Sequence, residues 1–256
     1  MGNIIESIYR YPIKGFSGEL LSKVVLHAHN VIPGDREYAF AKAKIKFDSN
    51  NPHYIDKTRF VALVKYEKLA SIDTEFNNNS KRLLFSNAGT KLIEGTLSNQ
   101  ADCQRISNFL AHYLGMPSDE QPRMVRARGG TQVHSFSDVP DKAISLINLS
   151  SVDEFGSKIN AKIDCRRFRG NINFRNHIPW EEFNWINRKL RIGKAILKVY
   201  KRTKRCAATN VNPFSAIRDL NIPLQLKNVY KHTDLGIYAV VKEGGVVRVG
   251  DNIELL

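Results

Sequence analysis

Residues 236–255, GIYAVVKEGGVVRVGDNIEL, contain two strand-like runs separated by a turn. GIYAVV and VVRVGDNIEL are rich in β-branched residues, and the KEGG segment between them is typical of a hairpin turn. Similar runs, bounded by Gly, Pro, Asn or Asp, recur along the chain. They are NIIESIYRY, KVVLHAHNV, FVALVKY, RLLFS, AISLINL, RGNINF and AILKVYKR. The pattern predicts a mainly β, predominantly antiparallel fold.

Two other segments have the spacing of helices. Residues 101–114 place apolar side chains on one helical face, and Pro117 stops the helix soon afterwards. A second helix is expected over residues 152–159, with Ser150 or Ser151 as its N-cap. The expected fold class is therefore mainly β (α+β), with a few helices.

A boundary between two domains is expected in the region 98–130. The predicted helix there is followed by a stretch rich in Pro, Gly and charge that has no clear apolar period. We predict one domain over residues 1–115 and a second over residues 116–256.

Composition narrows the classes of protein that the chain can belong to. Its 256 residues include 42% hydrophobic and 25% charged residues, which excludes a disordered chain. Three cysteines argue against a disulfide framework and for a reducing compartment. No uninterrupted apolar window is long enough to span a membrane, and the N-terminus does not resemble a signal peptide. We therefore expect a cytoplasmic protein.

The charge of the chain is strongly positive, with 39 Lys and Arg against 25 Asp and Glu, a net +14. Residues 188–205, RKLRIGKAILKVYKRTKR, are all basic or uncharged. Such a run fits a solvated strand face, a nucleic-acid surface or a site for a phosphorylated cofactor. Only Tyr200 interleaves with its cations as a stacking platform, which disfavours nucleic acid.

The three cysteines differ in their surroundings. Cys103 lies on the apolar face of its helix and reads as a core residue, while Cys165 is expected to enter a strand. Cys206 ends the basic run, and nearby cations such as Arg205 favour its thiolate, although a buried structural role is equally compatible. There is no C-x-x-C or H-E-x-x-H motif. A metal bound by Cys206 would therefore need further ligands from a cofactor.

Six motifs, taken together and in order, resemble those of MOSC-domain proteins. They are YPIKG (11–15), DREYAF (35–40), SFSDVPDKAISLINLSSV (135–152), CRRFRGNI (165–172), RCAATNVNP (205–213) and GIYAVVKEGGVVRVGD (236–251). The motifs look most like those of bacterial relatives of the mitochondrial amidoxime-reducing component. The resemblance covers nearly the whole chain and implies an N-terminal β-barrel module packed on a C-terminal MOSC β-barrel domain.

The resemblance implies a molybdenum cofactor, with Cys206 as the protein ligand of the metal. A soft thiolate suits molybdenum that a pterin dithiolene already holds, and the pterin phosphate needs cationic donors. The family positions that contact the cofactor fall on Lys14, Arg36, Ser137, Arg169, Asn171 and Arg205. Asp138 would lie near the metal, where it could orient a water or accept a substrate proton. From the residues alone, Lys14, Arg36 and Asp138 equally fit ordinary turn or surface roles.

The chain departs from the family pattern in three places. Asp56-Lys57-Thr58-Arg59 replaces a frequent Gln-Arg or Ala-Arg, so a second phosphate-side contact is expected from Lys57 or Arg59. Asn212 stands where many members have Asp, which makes a role for a carboxylate there doubtful. The sequence up to Leu256 lacks the cysteine pattern of a ferredoxin cluster, so electrons are expected from a separate protein.

Three functions are compatible with these features. The first is a molybdenum-cofactor oxidoreductase that reduces a small N-hydroxylated substrate with electrons from a separate donor protein. The second is a sulfur or molybdenum-cofactor carrier that uses Cys206 without redox turnover. The third, a nucleic-acid-binding module, is the weakest. Pyridoxal phosphate binding is a possibility at family level only, since MOSC domains also occur fused to a cofactor sulfurase and no pyridoxal-phosphate lysine motif is visible here.

Overall fold

Strands make up most of the regular structure in residues 2–126 and 134–256, the part of the chain that the computed structural model describes. These strands are β1 (Asn3–Arg10), β2 (Glu19–Leu21), β3 (Lys23–Leu26), β4 (Tyr38–Ala41), β5 (Asp73–Asn77), β6 (Arg82–Asn87), β7 (Thr90–Thr96), β8 (Arg123–Arg126), β9 (Ala143–Asn148), β10 (Ile172–Arg175), β11 (Lys189–Ile192), β12 (Ala195–Lys204), β13 (Asp234–Glu243), β14 (Gly245–Arg248) and β15 (Asn252–Leu255). The predicted mainly β class is confirmed.

Three α-helices accompany the strands in these described residues: α1 (Gln100–Tyr113), α2 (Leu149–Lys158) and α3 (Ile222–Tyr230). Short 3₁₀ turns cover Lys57–Arg59, Glu67–Ser71, Ser118–Glu120, Cys165–Phe168, Glu181–Trp185 and Ala207–Asn210. Within the same ranges, no helix has both the length and the apolar character needed to cross a membrane.

Seven strands close into a barrel in the order β10-β9-β13-β12-β11-β15-β1, because β1 pairs with β10 as well as with β15. The pairs are antiparallel except for β9 and β10. Side chains that point inwards form an apolar core, with Phe174, Leu197 and Ile237 fully buried. Closure leaves the barrel without free edges, so its backbone hydrogen bonds are satisfied internally.

A second core lies between the three-stranded sheet β5-β6-β7 and α1. Phe16 and Phe85 stack there with ring centroids 4.8 Å apart, and Leu110 of α1 is fully buried. Helix α1 begins after Asn99, whose side chain accepts hydrogen bonds from the first turn, as the spacing of residues 101–114 predicts within one residue. Cys103 packs against this core, in line with its place on the helix.

Strand pairings cross the predicted boundary at residue 115. The N-terminal strand β1 belongs to the barrel that the C-terminal half builds, and β4 pairs with β8. Strands β3 and β14 also pair across the two halves. The division into residues 1–115 and 116–256 remains a prediction about sequence modules. Residues 127–130, at the end of the predicted boundary region, lie outside the described part of the chain.

Residues 60–66, FVALVKY, do not form the strand that their composition predicts. Only Phe60 makes a β-bridge, to Ala41, and the chain then turns so that the Ala62 carbonyl accepts from the Lys65 and Tyr66 amides. The carbonyls of Leu63 and Val64, inside this turn, accept instead from the guanidinium of Arg218. A partner distant in sequence thus takes the hydrogen bonds that a strand would use.

Two smaller predictions are also wrong, and one helix was missed. The N-cap of α2 is Asn148, whose side chain accepts from the Ser150 amide; Ser151 is already inside the helix and hydrogen-bonds to Glu182. Cys165 begins a 3₁₀ turn rather than a strand, because Asp164 caps that turn. Helix α3 was not predicted; its short apolar run, IPLQL, follows a loop without a strong period.

Candidate functional site

A cavity of about 430 Å³ lies against the outer face of the barrel, where residues of both halves of the chain meet. Ser145 of β9 and Tyr238 of β13 form a cross-strand pair on this face, while their strand neighbours Ile144 and Ile237 point into the barrel core. The β-strand alternation therefore directs polar side chains into the cavity.

The cavity is strongly cationic. Among the described residues, one acidic side chain, Asp138, lines it together with nine basic ones: Lys14, Arg36, Lys57, Arg167, Arg169, Lys201, Arg202, Lys204 and Arg205. A concave surface with one sign of charge focuses its potential and attracts anions. The C-terminal end of the basic run 188–205 contributes to this cavity, while Lys189, Arg191, Lys194 and Lys198 are exposed on β11, β12 and the turn between them.

Nine of the ten residues that the sequence proposes for the site line this cavity: Lys14, Arg36, Lys57, Ser137, Asp138, Arg169, Asn171, Arg205 and Cys206. Arg59 does not. It lies in a separate depression with Lys42 and Glu120. Lys57 and Arg59 occupy one 3₁₀ turn, and side chains two residues apart in such a turn point in different directions. The geometry thus places Lys57, of the two alternatives, in the cavity.

Lys14 and Asp138 form an ion pair in the cavity. The Lys14 ammonium is buried and donates to Asp138 Oδ1 at 2.5 Å and to the Phe136 carbonyl at 2.8 Å. Burial lowers the pKa of Lys14, which the charge of Asp138 partly opposes. Burial alone would raise the pKa of Asp138, but the cations Lys14, Lys57 and Arg36 hold it well below its usual range. Asp138 therefore stays ionised and is better suited to orienting a donor than to storing a proton.

Arg36 and Arg169 converge on the ring of Tyr11. Their guanidinium carbons lie 4.9 Å and 4.3 Å from the ring centroid, and Arg36 Nη2 donates to the Arg169 carbonyl at 3.2 Å. Both arginines have left-handed backbones, with φ of 51° and 52°. Gly18 lies against the ring, where a Cβ would come within 2.6 Å of Tyr11 Cε1. A left-handed backbone costs free energy in a non-glycine residue, and such residues are often found at functional sites.

Arg169 has a hydrogen-bonding capacity that the protein does not use. Its Nη1 donates to the Phe16 carbonyl at 2.5 Å, whereas its buried Nη2 has no partner. Burial lowers the pKa of Arg169 to about 10. A buried N–H of a charged group without an acceptor is costly, and an anion in the cavity would relieve that cost.

Asn171 supports the site through its neighbours. Its side-chain oxygen accepts from Ser145 Oγ at 3.0 Å, and its amide nitrogen donates to Asp35 Oδ1 at 3.1 Å. The same Asp35 oxygen accepts from the Tyr11 amide, and Asp35 Oδ2 accepts from Arg36. The side-chain amide of Asn171 is thus used in hydrogen bonds to Ser145 and to Asp35, the residue that orients Arg36.

Cys206 is separated from the end of β12 by one residue, Arg205, and directly precedes the 3₁₀ turn Ala207–Asn210. Lys57, from the other half of the chain, lines the same cavity. Burial lowers the pKa of Lys57, but the charges of Asp138 and Cys206 outweigh burial and raise it. From the sequence, only neighbours such as Arg205 could be assigned as cations near Cys206. Lys57 lies about 150 residues earlier in the chain, so spacing could not link it to the cysteine.

Arg205 and Ser137 are turned towards the backbone. Arg205 Nε donates to the Leu235 carbonyl at 2.8 Å and Nη1 donates to the Phe168 carbonyl at 3.0 Å. Burial lowers the pKa of Arg205 to about 10. Ser137 Oγ donates to the Val139 carbonyl at 2.6 Å. These side chains line the cavity while they hold its loops in place.

The loop after Cys206 is held by Arg167, which the sequence reasoning missed. The buried Arg167 guanidinium donates to the Asn210 carbonyl at 3.0 Å and to both carboxylate oxygens of Asp219, at 2.6 Å and 2.7 Å. Asn212 Nδ2 donates to Asp219 Oδ2 at 2.7 Å. An amide at position 212 can make this bond, whereas the aspartate frequent in the family would bring a second carboxylate there.

Tyr238 is another cavity residue that the sequence reasoning missed. Burial raises the pKa of its hydroxyl, and the charge of Asp138 adds to this effect. Tyr238 lies between Ile237 and Ala239, which are buried in the barrel core. Because side chains alternate along a strand, this position in GIYAVV indicates that Tyr238 points to the opposite face.

The described residues contain no cluster of three or more His, Cys, Asp or Glu that could hold a metal ion by themselves. A metal at Cys206 would therefore need ligands supplied by a bound group.

Family models match almost the whole chain. The MOSC N-terminal beta barrel domain matches residues 2–121, and the MOSC domain matches residues 131–254. The chain belongs to the MOSC family. The resemblance seen in the sequence motifs is confirmed.

This MOSC protein is similar to curated mitochondrial proteins. It is 25% identical to mitochondrial amidoxime-reducing component 1 of Homo sapiens over 182 residues, which cover 64% of this chain and 53% of that one. It is 30% identical to mitochondrial amidoxime reducing component 2 of Rattus norvegicus over 122 residues, 43% of this chain and 36% of that one. The chain spans about half the length, or less, of these curated relatives.

Solved structures of similar shape include the YuaD protein of Bacillus subtilis, with a TM-score of 0.46 and 13% identity over 100% of this chain and 96% of that one. YiiM of Escherichia coli gives a TM-score of 0.32 and 21% identity over 44% and 53% of the two chains. Neither family model, and none of the relatives named here, mentions pyridoxal phosphate in its description, so that possibility gains no support.

Proposed function

We propose that this MOSC protein is a molybdenum-cofactor-binding oxidoreductase that reduces N-hydroxylated compounds with electrons from a separate protein. The observation that carries the proposal is the Cys206 thiol in a cavity lined by nine basic side chains, two of which, Arg167 and Arg169, have a buried N–H without a partner. The names of the relatives, amidoxime-reducing components, suggest the substrate class.

The residues present fit such a cofactor. Cys206 would hold the metal, and Arg36, Arg169 and Lys14 would hold an anionic pterin phosphate, since guanidinium groups bind phosphate in bidentate fashion. When bound, the cofactor would supply a redox-active metal that accepts the oxygen of an N–OH group.

The side chains of this protein would then prepare the thiol and the substrate. The Lys57 cation shares the cavity with the Cys206 sulfur and would offset the negative charge of the thiolate that binds a metal. Asp138, ionised at neutral pH, would accept a hydrogen bond from the N–H or O–H of the substrate. Neither Lys57 nor Asp138 is a ready proton donor, because the pKa of Lys57 is raised and Asp138 is already ionised. The protons that the reduction consumes would therefore come from solvent at the cavity mouth.

We also propose that the protein works in a reducing compartment, the cytoplasm. All three cysteines are free, and the thiol of Cys206 has to remain reduced to bind a metal. Alkylation of intact cells followed by mass spectrometry of the peptide that contains Cys206 would test this, and a disulfide at Cys206 would contradict it.

Elemental analysis tests the cofactor. We expect wild-type protein from a host that makes the cofactor to contain molybdenum, and Cys206→Ser to lack it. Cys103→Ser and Cys165→Ser are matched controls and should keep the metal, because neither side chain lines the cavity. Wild-type protein without molybdenum, or Cys206→Ser with a full complement, would exclude the proposal.

Turnover of an amidoxime by the molybdenum-loaded protein tests the reaction. With reduced methyl viologen as the electron source, we expect the amidine as product and no activity from Cys206→Ser. Bound molybdenum without turnover of any N-hydroxylated substrate would favour a sulfur or cofactor carrier instead.

A further inference from the structure

The loop that follows Cys206 holds two large apolar side chains out in solvent. Phe214 is 67% exposed and Ile217 is 61% exposed, and we call this pair the apolar tip. Single exposed apolar residues are ordinary on protein surfaces, but here two of them lie on the same short loop, which comes soon after Cys206 in the chain.

The apolar tip is held by a built turn. Asn212 Oδ1 accepts from the Phe214 amide at 2.9 Å and from the Ser215 amide at 3.3 Å, while Val211 and Arg218 form a β-bridge at the base of the loop. The turn therefore keeps Phe214 in water even though burial would be favourable for a side chain of that size.

Arg218 connects the apolar tip to the cavity. Its Nη1 donates to the carbonyl of Ala207 at 2.9 Å, and its Nη2 donates to the carbonyls of Leu63 and Val64 at 3.0 Å and 3.1 Å. Leu63 and Val64 line the cavity, and Ala207 follows Cys206 directly. A path through the Arg218 side chain and one hydrogen bond thus runs from the apolar tip to the backbone of Ala207, the residue after Cys206.

The charge around this surface favours an acidic partner. Arg166, whose guanidinium carbon lies 4.1 Å from the Phe214 ring centroid, and Arg218 are each paired with a carboxylate. The net positive charge of this surface comes from cations that line the cavity, of which Arg202 and Lys204 are exposed to solvent. A protein that covered both regions would meet an apolar contact beside unpaired cations.

We propose that the apolar tip and the cationic cavity mouth form the docking surface for an acidic one-electron redox protein. This inference rests on the proposed function. In that reaction the N–O bond of the substrate breaks and an N–H bond forms, while the oxygen leaves as water. Two protons come from solvent, and two electrons come one at a time from two reduced partner molecules that dock in succession. Arg218 links the docking surface to the Cys206 loop.

Steady-state kinetics of the molybdenum-loaded protein test the docking surface. The electron sources are reduced methyl viologen, an acidic plant-type [2Fe–2S] ferredoxin, an acidic flavodoxin and a basic cytochrome. For the double variant F214S/I217S we expect the KM for an acidic carrier to rise about tenfold while the viologen-driven rate stays unchanged. Leu20→Ser is the matched control, because Leu20 is 66% exposed on β2, away from the cavity lining.

Salt dependence separates charge steering from apolar contact. For the wild-type protein, we expect added salt to lower kcat/KM for the acidic carriers strongly and to leave the viologen-driven rate almost unchanged. Turnover with the basic cytochrome alone, failure of both acidic carriers, or an unchanged KM in F214S/I217S would overturn the inference.

The proposed function and the docking surface fail in different ways. Absence of viologen-driven turnover would count against the reaction itself. In that event, titration calorimetry with the oxidised ferredoxin still tests the docking surface. The inference is supported if F214S/I217S binds the ferredoxin more weakly than the wild-type protein and Leu20→Ser binds it equally well. Equal binding by all three proteins, or no binding by any of them, would overturn it.

Discussion

Removing the charge of Asp219 should destabilise the protein far more than removing the charge of Asp164. Asp164 accepts from two nitrogens of Arg166, whereas both oxygens of Asp219 accept from one nitrogen, Nη2, of Arg167. The two arginines are adjacent in sequence. The pairs differ in burial: the Arg167 side chain is 2% exposed and its Asp219 partner 37%, whereas the other pair is 41% and 30% exposed.

The expected magnitudes follow from that difference. Breaking a fully buried pair by removing one partner costs about 3–5 kcal/mol, because the remaining charge stays buried. Since Asp219 is partly solvated, we expect about 2–3 kcal/mol for Asp219→Asn. For Asp164→Asn we expect about 0–1 kcal/mol, the usual range for exposed pairs. Asparagine can also retain the cap that Asp164 provides to the 3₁₀ turn at Cys165–Phe168.

Thermal unfolding measures the difference. In a chain of this size 1 kcal/mol corresponds to about 2–4 °C, so Asp219→Asn should lower Tm by roughly 5–10 °C. Asp164→Asn should lower Tm by at most about 4 °C. If the two variants melted together, or if Asp219→Asn melted with the wild-type protein, the buried clamp on the Cys206 loop would not have the role assigned to it.

Three further perturbations test the site and its support. Tyr11→Leu should weaken pyrophosphate binding to the cavity about tenfold in calorimetry, since both guanidiniums lose their ring, whereas Tyr11→Phe should bind normally. Burial raises the pKa of Glu182 to about 7. The free energy of unfolding should therefore fall between pH 5 and pH 7, by up to about 1.4 kcal/mol per pH unit. The variant Glu182→Gln should show no such fall. Asn212→Asp should cost about 1 kcal/mol at pH 7 by repulsion from Asp219 and little at pH 3; equal losses at both pH values would contradict this.

The sign of the Glu182 prediction follows from proton binding. Its folded-state pKa lies above that of an unfolded glutamate, so the native state binds more protons in the interval between the two values. Stability is therefore fully present below the ordinary carboxyl pKa and is lost as pH rises towards about 7. Asn148 and Ser151 donate to the Glu182 carboxylate, and no cation is paired with it among the described residues.

Much of the site could be predicted because its motifs sit at the ends of recognisable strands. Cys206 lies two residues after the end of β12, and Arg169 and Asn171 precede β10, so strand patterns bring their motifs to the barrel. The family resemblance added Lys14 and Arg36, which no spacing rule connects to Cys206. What the sequence could not show is which polar atoms remain free: Asn171 is committed to its neighbours, while Arg169 keeps an unused N–H.

The failures share a physical cause, which is competition from partners that are distant in sequence. FVALVKY has strand-like composition, but Arg218 takes two of its carbonyls. Ser151 is a good N-cap residue in isolation, but its hydroxyl serves the buried carboxylate of Glu182. Local propensity is a weak prior wherever a buried or charged group elsewhere in the fold needs the same hydrogen bond.

The two halves of the chain act as one unit at the site. Lys14 and Lys57 come from the N-terminal half, whereas Asp138 and Cys206 come from the C-terminal half, and the cation beside the thiol exists only when both are folded together. Strand β1 pairs with β10 and β15, so a chain cut after residue 115 would open the barrel and expose two strand edges. The positive charge of the protein is thus organised by the fold: nine of its cations reach one cavity because the N-terminal strand closes the C-terminal barrel.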